Sequence, residues 1–429
     1  MGGFAAAAAQ LIRSAWGSMA LRAAAALGLG GVALAVANLI LARALAPAEF
    51  AQFALLYAIV QVGINIGPIG ADVAMTRRLI TPNVGLFQQS LLTSFGVAVT
   101  LVVISAILYP LRGSLLLTIF ISVTGGGLEI AALAYYRSCE RVGFSLVLSS
   151  CANASLLLAS LLAMGLKVTS AILPAVALSI AFTSTALVAW RGIKADRRDW
   201  KERAAAPFPW AVGWAAVSFI GAGIILTSLD RLVIPRFLSM AELATFTVLA
   251  TVAGSPFSML YQAVSYTLVA RLRNAANTRQ RLRVLGRESA VVVVTCLMAG
   301  VAVLWVMPLL LKWVLADRYA IGRALLVAAI CVGFLKVFAS LAAAAVNALG
   351  SRAELVKMSY IGWVAIGVAV LGAAIGARWG LIGLVYGVGC GWLMRSLAVA
   401  YLAAPLLYDD TAAPLDAERN GATASQPTN

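Results

Sequence analysis

About twelve apolar stretches, each near twenty residues long and almost free of charge at its centre, follow one another along this 429-residue chain. A bilayer asks for roughly 20 apolar residues per helical crossing. Only short charged segments separate the stretches, so the crossings use up nearly the whole chain. The pattern predicts an all-α polytopic membrane protein. Its spans fall at about 20–42, 50–70, 87–109, 114–136, 145–165, 168–190, 209–229, 243–268, 288–311, 322–346, 356–376 and 379–403.

Hydrophobic residues make up 62% of the chain and charged residues 11%, against roughly 45–50% and 25% in soluble domains. A net charge of +16 would suit nucleic acid if it lay on one soluble face. Instead the basic residues sit in alternate loops, so no nucleic-acid partner is expected. One loop set holds Arg13, Arg22, Arg77, Arg78, Arg137, Arg141, six cations within 191–203, six within 271–287, Arg352, Lys357 and Arg419, which is 21 of the 32. The other set holds nine: Arg43, Arg112, Lys167, Arg231, Arg236, Lys312, Arg318, Arg323 and Arg378. By the positive-inside rule both termini are cytoplasmic, as in a multi-pass protein of a bacterial inner membrane. Lys336 and Arg395 complete the count and fall within spans.

The longest charged loop divides the spans six and six. The expected organisation is an interfacial N-terminal segment at 1–19, carrying Phe4, Leu11, Ile12 and Trp16, and a first lobe of six helices at 20–190. A basic cytoplasmic linker at 191–208 leads to a second lobe at 209–405, and a disordered cytoplasmic tail occupies 406–429. The sequence contains no histidine, which removes the commonest general base and metal ligand. Cys139, Cys151, Cys296, Cys331 and Cys390 show no CxxC spacing and read as buried small hydrophobes.

The halves resemble each other. At an offset of 193 without gaps, Arg43 meets Arg236, Leu45 meets Leu238, Glu49 meets Glu242, Phe53 meets Phe246, and Arg78–Leu79 meets Arg271–Leu272. Six spans separate the copies, so the repeat is parallel, about an axis normal to the membrane. Transporters built this way place their pathway between the halves.

Polar stripes mark several spans. Gln61, Asn65, Asp72 and Thr76 share one face of span 2, and Thr251, Ser255, Ser258, Gln262 and Ser265 repeat the stripe on span 8. Span 4 carries Thr118, Ser122, Gly125, Glu129, Tyr136 and Glu140, and span 10 carries Lys336, Ser340 and Asn347. Such stripes either bond helix to helix or line a wet cavity. Glu129, Lys336 and Arg395 favour the cavity, because an ionised group deep in a span must face a partner or water.

The segment Leu39–Leu79 resembles the first two spans of Wzx-type lipid-linked oligosaccharide flippases, polysaccharide transporters of the MOP superfamily that also holds the MATE exporters. The similarity rests on the L-x-P-x-E-F turn at Leu45–Phe50, the following Phe53, and the Gly70…Arg77 end of span 2. In the second half it rests on Leu229–Arg231 (LDR), Glu242 and Phe246, then Asn347–Arg352 (NALGSR) and Gly380–Gly387 (GLIGLVYG). The family's turn usually ends in glycine after the aromatic; here Ala51 and Ala244 stand there.

The resemblance implies two six-helix lobes in a MATE-like V, alternately open to each side of the membrane. The implied substrate is a polyprenyl-pyrophosphate-linked oligosaccharide for surface polysaccharide (lipopolysaccharide or exopolysaccharide) biosynthesis. It would cross a cationic central cavity while its lipid stays in the bilayer. Membrane lipids, a polysaccharide polymerase and a chain-length regulator are the implied partners, and no cofactor is implied. Fixed positive charge suits a pyrophosphate, and arginine forks suit its oxygens.

Lys336 and Arg395 are then the first candidates for the headgroup contact, against a structural role as partners of Glu129. Arg22, Arg77 and Arg78, near inner span ends, read either as a ring at the cytoplasmic mouth or as topology signals. Asp230 and Arg231 read as an internal salt bridge or a gate. Asp72 and Glu129 read as ion-coupling carriers or as charge balance. Gln61, Asn65, Ser255, Gln262, Ser340 and Asn347 read as polar cavity lining.

Three other readings compete. A drug or metabolite exporter of the same fold would want acidic groups deep in span 1 or span 7, and span 1 has none. The major facilitator fold would show G-x-x-x-D-R-x-G-R-R between spans 2 and 3, which is missing. A membrane-embedded polymerase or ligase would need a large outer loop or a deep acid–base pair. There is no G-x-x-x-x-G-K-[ST], so this chain does not itself hydrolyse ATP. A transporter, not an enzyme, is the reading that the residues favour.

Overall fold

The computed structural model describes residues 19–76, 80, 82–139, 141–196, 210–275 and 277–408. Among these residues every regular element is helical. The chain divides into two compact units, Met1–Ala216 and Val217–Asn429. The first contains α1 (Met19–Ala44), α2 (Pro47–Ile66), α3 (Ala71–Thr76), α4 (Val84–Leu108), α5 (Gly113–Ser138), α6 (Val142–Gly165) and α7 (Ile172–Asp196). The second is built from α8 (Trp210–Phe237), which starts just ahead of the division, α9 (Met240–Arg273), α10 (Thr278–Trp313), α11 (Arg323–Leu349), α12 (Arg352–Gly376) and α13 (Gly380–Tyr408).

Large apolar side chains cover the outside of these helices as well as their contacts. On α4, Leu92, Phe95, Val99, Val103 and Ile107 are exposed in one helical stripe, a surface that only acyl chains would solvate. Among the described residues ten stretches are long and apolar enough to cross a bilayer.

The two units repeat one packing scheme. In the first, α5 is the hub, touching α2, α3, α4 and α7, while α6 packs on α1 and on α7. In the second, α11 takes the hub position, touching α9, α10 and α13, while α12 packs along α13. The α8–α12 contact, counterpart of α1–α6, includes Ser218 Oγ with Ser359 Oγ at 2.7 Å, and Trp363 Nε1–H donating to Ser218 Oγ at 3.1 Å. The matched glutamates of the repeat have different work. Glu49 pairs with Arg112 at 2.7 Å and accepts the Ala171 N–H at 2.9 Å, tying two loops together. Glu242 caps its own helix, accepting from Ser239 N at 2.9 Å.

Span 2 is not one helix. It stops at Ile66, turns through Gly67–Gly70, and resumes as α3. Pro68 brings no N–H to a helical ladder, and Ile69 and Gly70 take positive φ (42° and 75°). The expected single stripe is therefore split, with Gln61 and Asn65 on α2 and Asp72 and Thr76 on α3. Span 9 starts ten residues earlier than hydropathy suggested, because α10 begins at Thr278 with Asn277 as its cap, accepting from Gln280 N at 2.9 Å. Arginine is a good helix former, but it lowers the apolar score that sets a span boundary. Likewise α7 runs on to Asp196, into the segment expected as linker; residues 197–209, the N-terminal 1–18 and the tail 409–429 lie outside the described residues. Of the five cysteines only Cys296 is buried, while Cys139, Cys331 and Cys390 are exposed and Cys151 is intermediate. A small apolar thiol costs nothing on a lipid-facing surface, so burial did not follow from its chemistry.

The tightest crossing joins α12 to α13. A Cβ on Gly372 would stand 2.5 Å from Gly387 O, one on Gly376 2.1 Å from Gly383 O, and one on Gly387 2.1 Å from Gly372 O. Two small-xxx-small pairs thus face each other and bring backbone against backbone. Gly387→Val should destabilise the second unit by about 1–3 kcal/mol or more through overpacking, read as a lower melting temperature in detergent. Gly367→Val on the same α12, where a Cβ meets nothing within 4 Å, should leave melting nearly unchanged.

Candidate functional site

The second unit concentrates charge where α8, α11 and α13 converge. On α13 the buried residues Val388, Trp392, Arg395, Val399 and Ala403 form one stripe, opposite the exposed Tyr386, Leu393, Leu397 and Tyr401. Arg395 therefore points into the unit, not toward lipid. Its residue is 6% exposed, and Trp392, three positions back on the same face, is 1% exposed.

On α11, Lys336 lies between Gly333 and Ser340 on the helix's inner side. Its Nζ approaches Asp230 Oδ2 of α8 at 3.3 Å and stands 5.5 Å from the Trp392 ring centroid. Arg395 Cζ lies 5.6 Å from the same centroid. One indole thus serves two cations, an arrangement worth about 0.5–2 kcal/mol per desolvated contact. The Arg395 guanidinium also packs on α8 at Gly223, where a Cβ would sit 3.7 Å from Nη2. Ser396 Oγ donates to Leu335 O at 3.0 Å and to Trp392 O at 2.8 Å, joining α13 to α11 beside the cluster.

Its charges do not cancel. Asp230 pairs with Lys336 while Arg395 packs about two turns away along α8 at Gly223, and three buried polar atoms, Asp230 Oδ1, Arg395 Nη1 and Trp392 Nε1, make no hydrogen bond. The other carboxylates described in this unit lie elsewhere. Glu242 and Glu354 cap helices, Glu288 pairs with Arg271, and Asp317 sits in the turn after α10 with φ 55°. An uncompensated cation at the centre of a span costs about 2.5–3.5 kcal/mol or more. A bundle selected only for stability would replace it with an apolar side chain.

In the first unit the stripe on α5 bonds helix to helix. Ser122 Oγ meets Ser179 Oγ at 2.8 Å, Ser179 Oγ donates to Thr118 O at 3.1 Å, and Tyr136 Oη donates to Ala189 O at 2.9 Å. Glu129 belongs to this stripe and is 3% exposed. Its Oε2 makes no hydrogen bond, and the nearby Thr185 hydroxyl of α7 donates to Ala181 O of its own helix at 2.8 Å.

The remaining candidates scatter. Asp230 forms its ion pair with Lys336, and Arg231, one residue on, projects from a different side of α8. Asn65 donates to Gln61 O at 2.8 Å, and Ser255 and Ser340 bond their own helices at Thr251 O and Val337 O. Gln262 is exposed and Asn347 half-buried. Asp72 is half-buried on α3. Arg22 lies on α1 with its side chain outside the described residues, and Arg77 and Arg78 lie outside them altogether. Trp392 was missed by sequence reasoning. Its signal was available, since an aromatic three residues from a mid-span arginine must share that arginine's face.

These observations define a polytopic helical membrane protein with two similarly packed units and a buried, net-positive cluster in the second. Its fold is that of MATE-type transporters of the MOP superfamily. The chain is similar to an inward-facing multidrug resistance MATE family transporter of that superfamily, with a TM-score of 0.64 at 13% identity over 88% of this chain and 94% of that one. It is also similar to the eukaryotic MATE transporter AtDTX14 (TM-score 0.59, 12% identity, 90% and 96% covered). A third likeness is to the lipid II flippase MurJ in its inward closed conformation (TM-score 0.56, 10% identity, 95% and 94% covered). No protein-family model and no curated protein matches the chain.

The exposure of the cluster yields a direct test of which solvent reaches it. The Lys336 side chain is 25% exposed, whereas Tyr401, on the outer apolar stripe, is 85% exposed. In a background with the five native cysteines replaced, Lys336→Cys should react with a membrane-impermeant thiol reagent, and Tyr401→Cys only with a membrane-soluble one. The opposite pattern would place Lys336 in lipid.

Proposed function

We propose that the chain is a flippase of the bacterial inner membrane, with both termini cytoplasmic. It carries a polyprenyl-pyrophosphate-linked oligosaccharide from the cytoplasmic to the periplasmic leaflet by alternating access, for surface polysaccharide biosynthesis. The observation that carries this reading is the cluster of Lys336, Arg395 and Trp392 with a single carboxylate, Asp230. Positive charge left in excess inside an apolar bundle is the complement of an anionic headgroup that must shed water to cross. Lys336, the more exposed cation, makes the first contact with phosphate oxygens, and Arg395 supplies fixed charge behind it. The fold likeness to a lipid II flippase supports the choice of a lipid-linked cargo.

A second reading, an exporter of organic cations or other metabolites, draws on Glu129, whose buried free oxygen would attract a cation. The two readings separate on the variants. For a flippase, Lys336→Ala and Arg395→Ala each abolish surface polysaccharide while protein level and topology stay intact. Lys336→Glu is worse than Lys336→Ala, and Glu129→Gln retains export. Normal export in both alanine variants would overturn the assignment. Proteoliposomes loaded with labelled lipid-linked sugar, with and without a pH gradient, then measure translocation itself.

A further inference from the structure

Lys336 already has an anion, and that anion sits in the way of any phosphate that would bind it. We propose that Asp230 is a resident counter-ion that competes with the phosphate of the transported headgroup for Lys336, and that retakes Lys336 when the headgroup leaves. The proposal rests on the anionic substrate class argued above, and it assigns Asp230 a positioning role in the transport cycle.

The pair is built to exchange. The Nζ–Oδ2 distance of 3.3 Å is longer than the ~2.7–2.9 Å of a tight charge-assisted bond. Only one carboxylate oxygen is engaged, and Oδ1 has no partner. The side chains are unequally accessible, 25% exposed for Lys336 and 5% for Asp230. A ligand therefore reaches the ammonium first, while the carboxylate stays behind it.

The surroundings hold still when Lys336 moves. Arg395 is fixed by the Trp392 ring and by Gly223 of α8, the helix that also carries Asp230. The guanidinium stays against α8 at Gly223, about two turns from Asp230, and does not travel with the lysine. The Ser396 bonds to Leu335 O and Trp392 O keep α11 and α13 in register. Only the flexible lysine stem has to change partner. A merely structural salt bridge would have no reason to leave a carboxylate oxygen, a guanidinium nitrogen and an indole N–H unbonded around it.

The test uses the full-length protein in detergent with farnesyl pyrophosphate as the probe, titrated calorimetrically. Competition for one site is a negative coupling, of a size that spans about 5–150-fold in affinity. Asp230→Asn should therefore bind the probe tighter by a factor in that range. Asp230→Glu, which keeps the competing charge, should stay near the unaltered protein. In proteoliposomes Asp230→Asn should half-saturate at lower lipid-linked substrate yet turn over more slowly, because nothing reclaims Lys336. Binding by Asp230→Asn that equals or falls below that of the unaltered protein would overturn the competition while leaving the anionic site standing. Failure of the folded, unaltered protein to bind the probe at all would overturn the functional reading itself. Where Asp230→Asn does not fold, the unaltered protein decides. Its infrared difference spectrum on adding probe, with carboxylate-labelled aspartate, should show the Asp230 stretch shifting as the ammonium departs. An unshifted aspartate band at saturating probe would sink the exchange.

Discussion

Hydrocarbon offers no partner to a hydrogen-bonding or charged group, and every feature of this chain answers to that constraint. Among the described residues it makes helices the only regular element, because a helix satisfies its own backbone within one segment. It sends most serine and threonine hydroxyls back to a carbonyl of their own helix, as at Thr251 and Thr247, and turns a few across to a neighbour, as at Ser122 and Ser179. It also makes the Asp230–Lys336–Trp392–Arg395 cluster conspicuous, since that is where three buried polar atoms go without partners.

Close packing takes over where the hydrophobic effect cannot act. Lipid tails are as apolar as leucine, so helices in a membrane associate through van der Waals fit and interhelical bonds. The α12–α13 crossing is the clearest case, with glycine pairs that leave backbone against backbone. The α5–α7 crossing works differently. There Gly125 accommodates Thr183, and a ladder of hydroxyl and indole bonds, including Trp190 Nε1 to Leu128 O at 3.0 Å, fixes the register. Both devices fix how neighbouring helices meet within their own unit.

Much of this was legible in the residues. Hydropathy located the helices, and the matches between the halves at 43–79 and 236–272 pointed to a repeat, while the equivalent hub positions of α5 and α11 came from the structure. Lys336 and Arg395 stood out because they are the two basic residues that fall within the spans rather than in the loops. What failed was continuity and partnership. Span 2 read as one helix because its polar residues kept helical spacing across Gly67–Gly70, although proline and two positive-φ residues break it there. Asp230 was set beside Arg231 because they are adjacent in sequence, yet adjacent helical residues point apart, and its ion pair lies 106 positions away on α11.

The chain by itself determined the apolar surroundings it is suited to, the helical class and the sign of the charge carried within the spans of its second half. These are local properties, fixed by composition and spacing within windows of about twenty residues. Only the tertiary structure decided that Lys336 answers to Asp230 and that one indole stands beside both cations. Ion pairing depends on distances of a few ångströms between helices far apart in sequence, and no periodicity along one helix encodes which face of another will meet it.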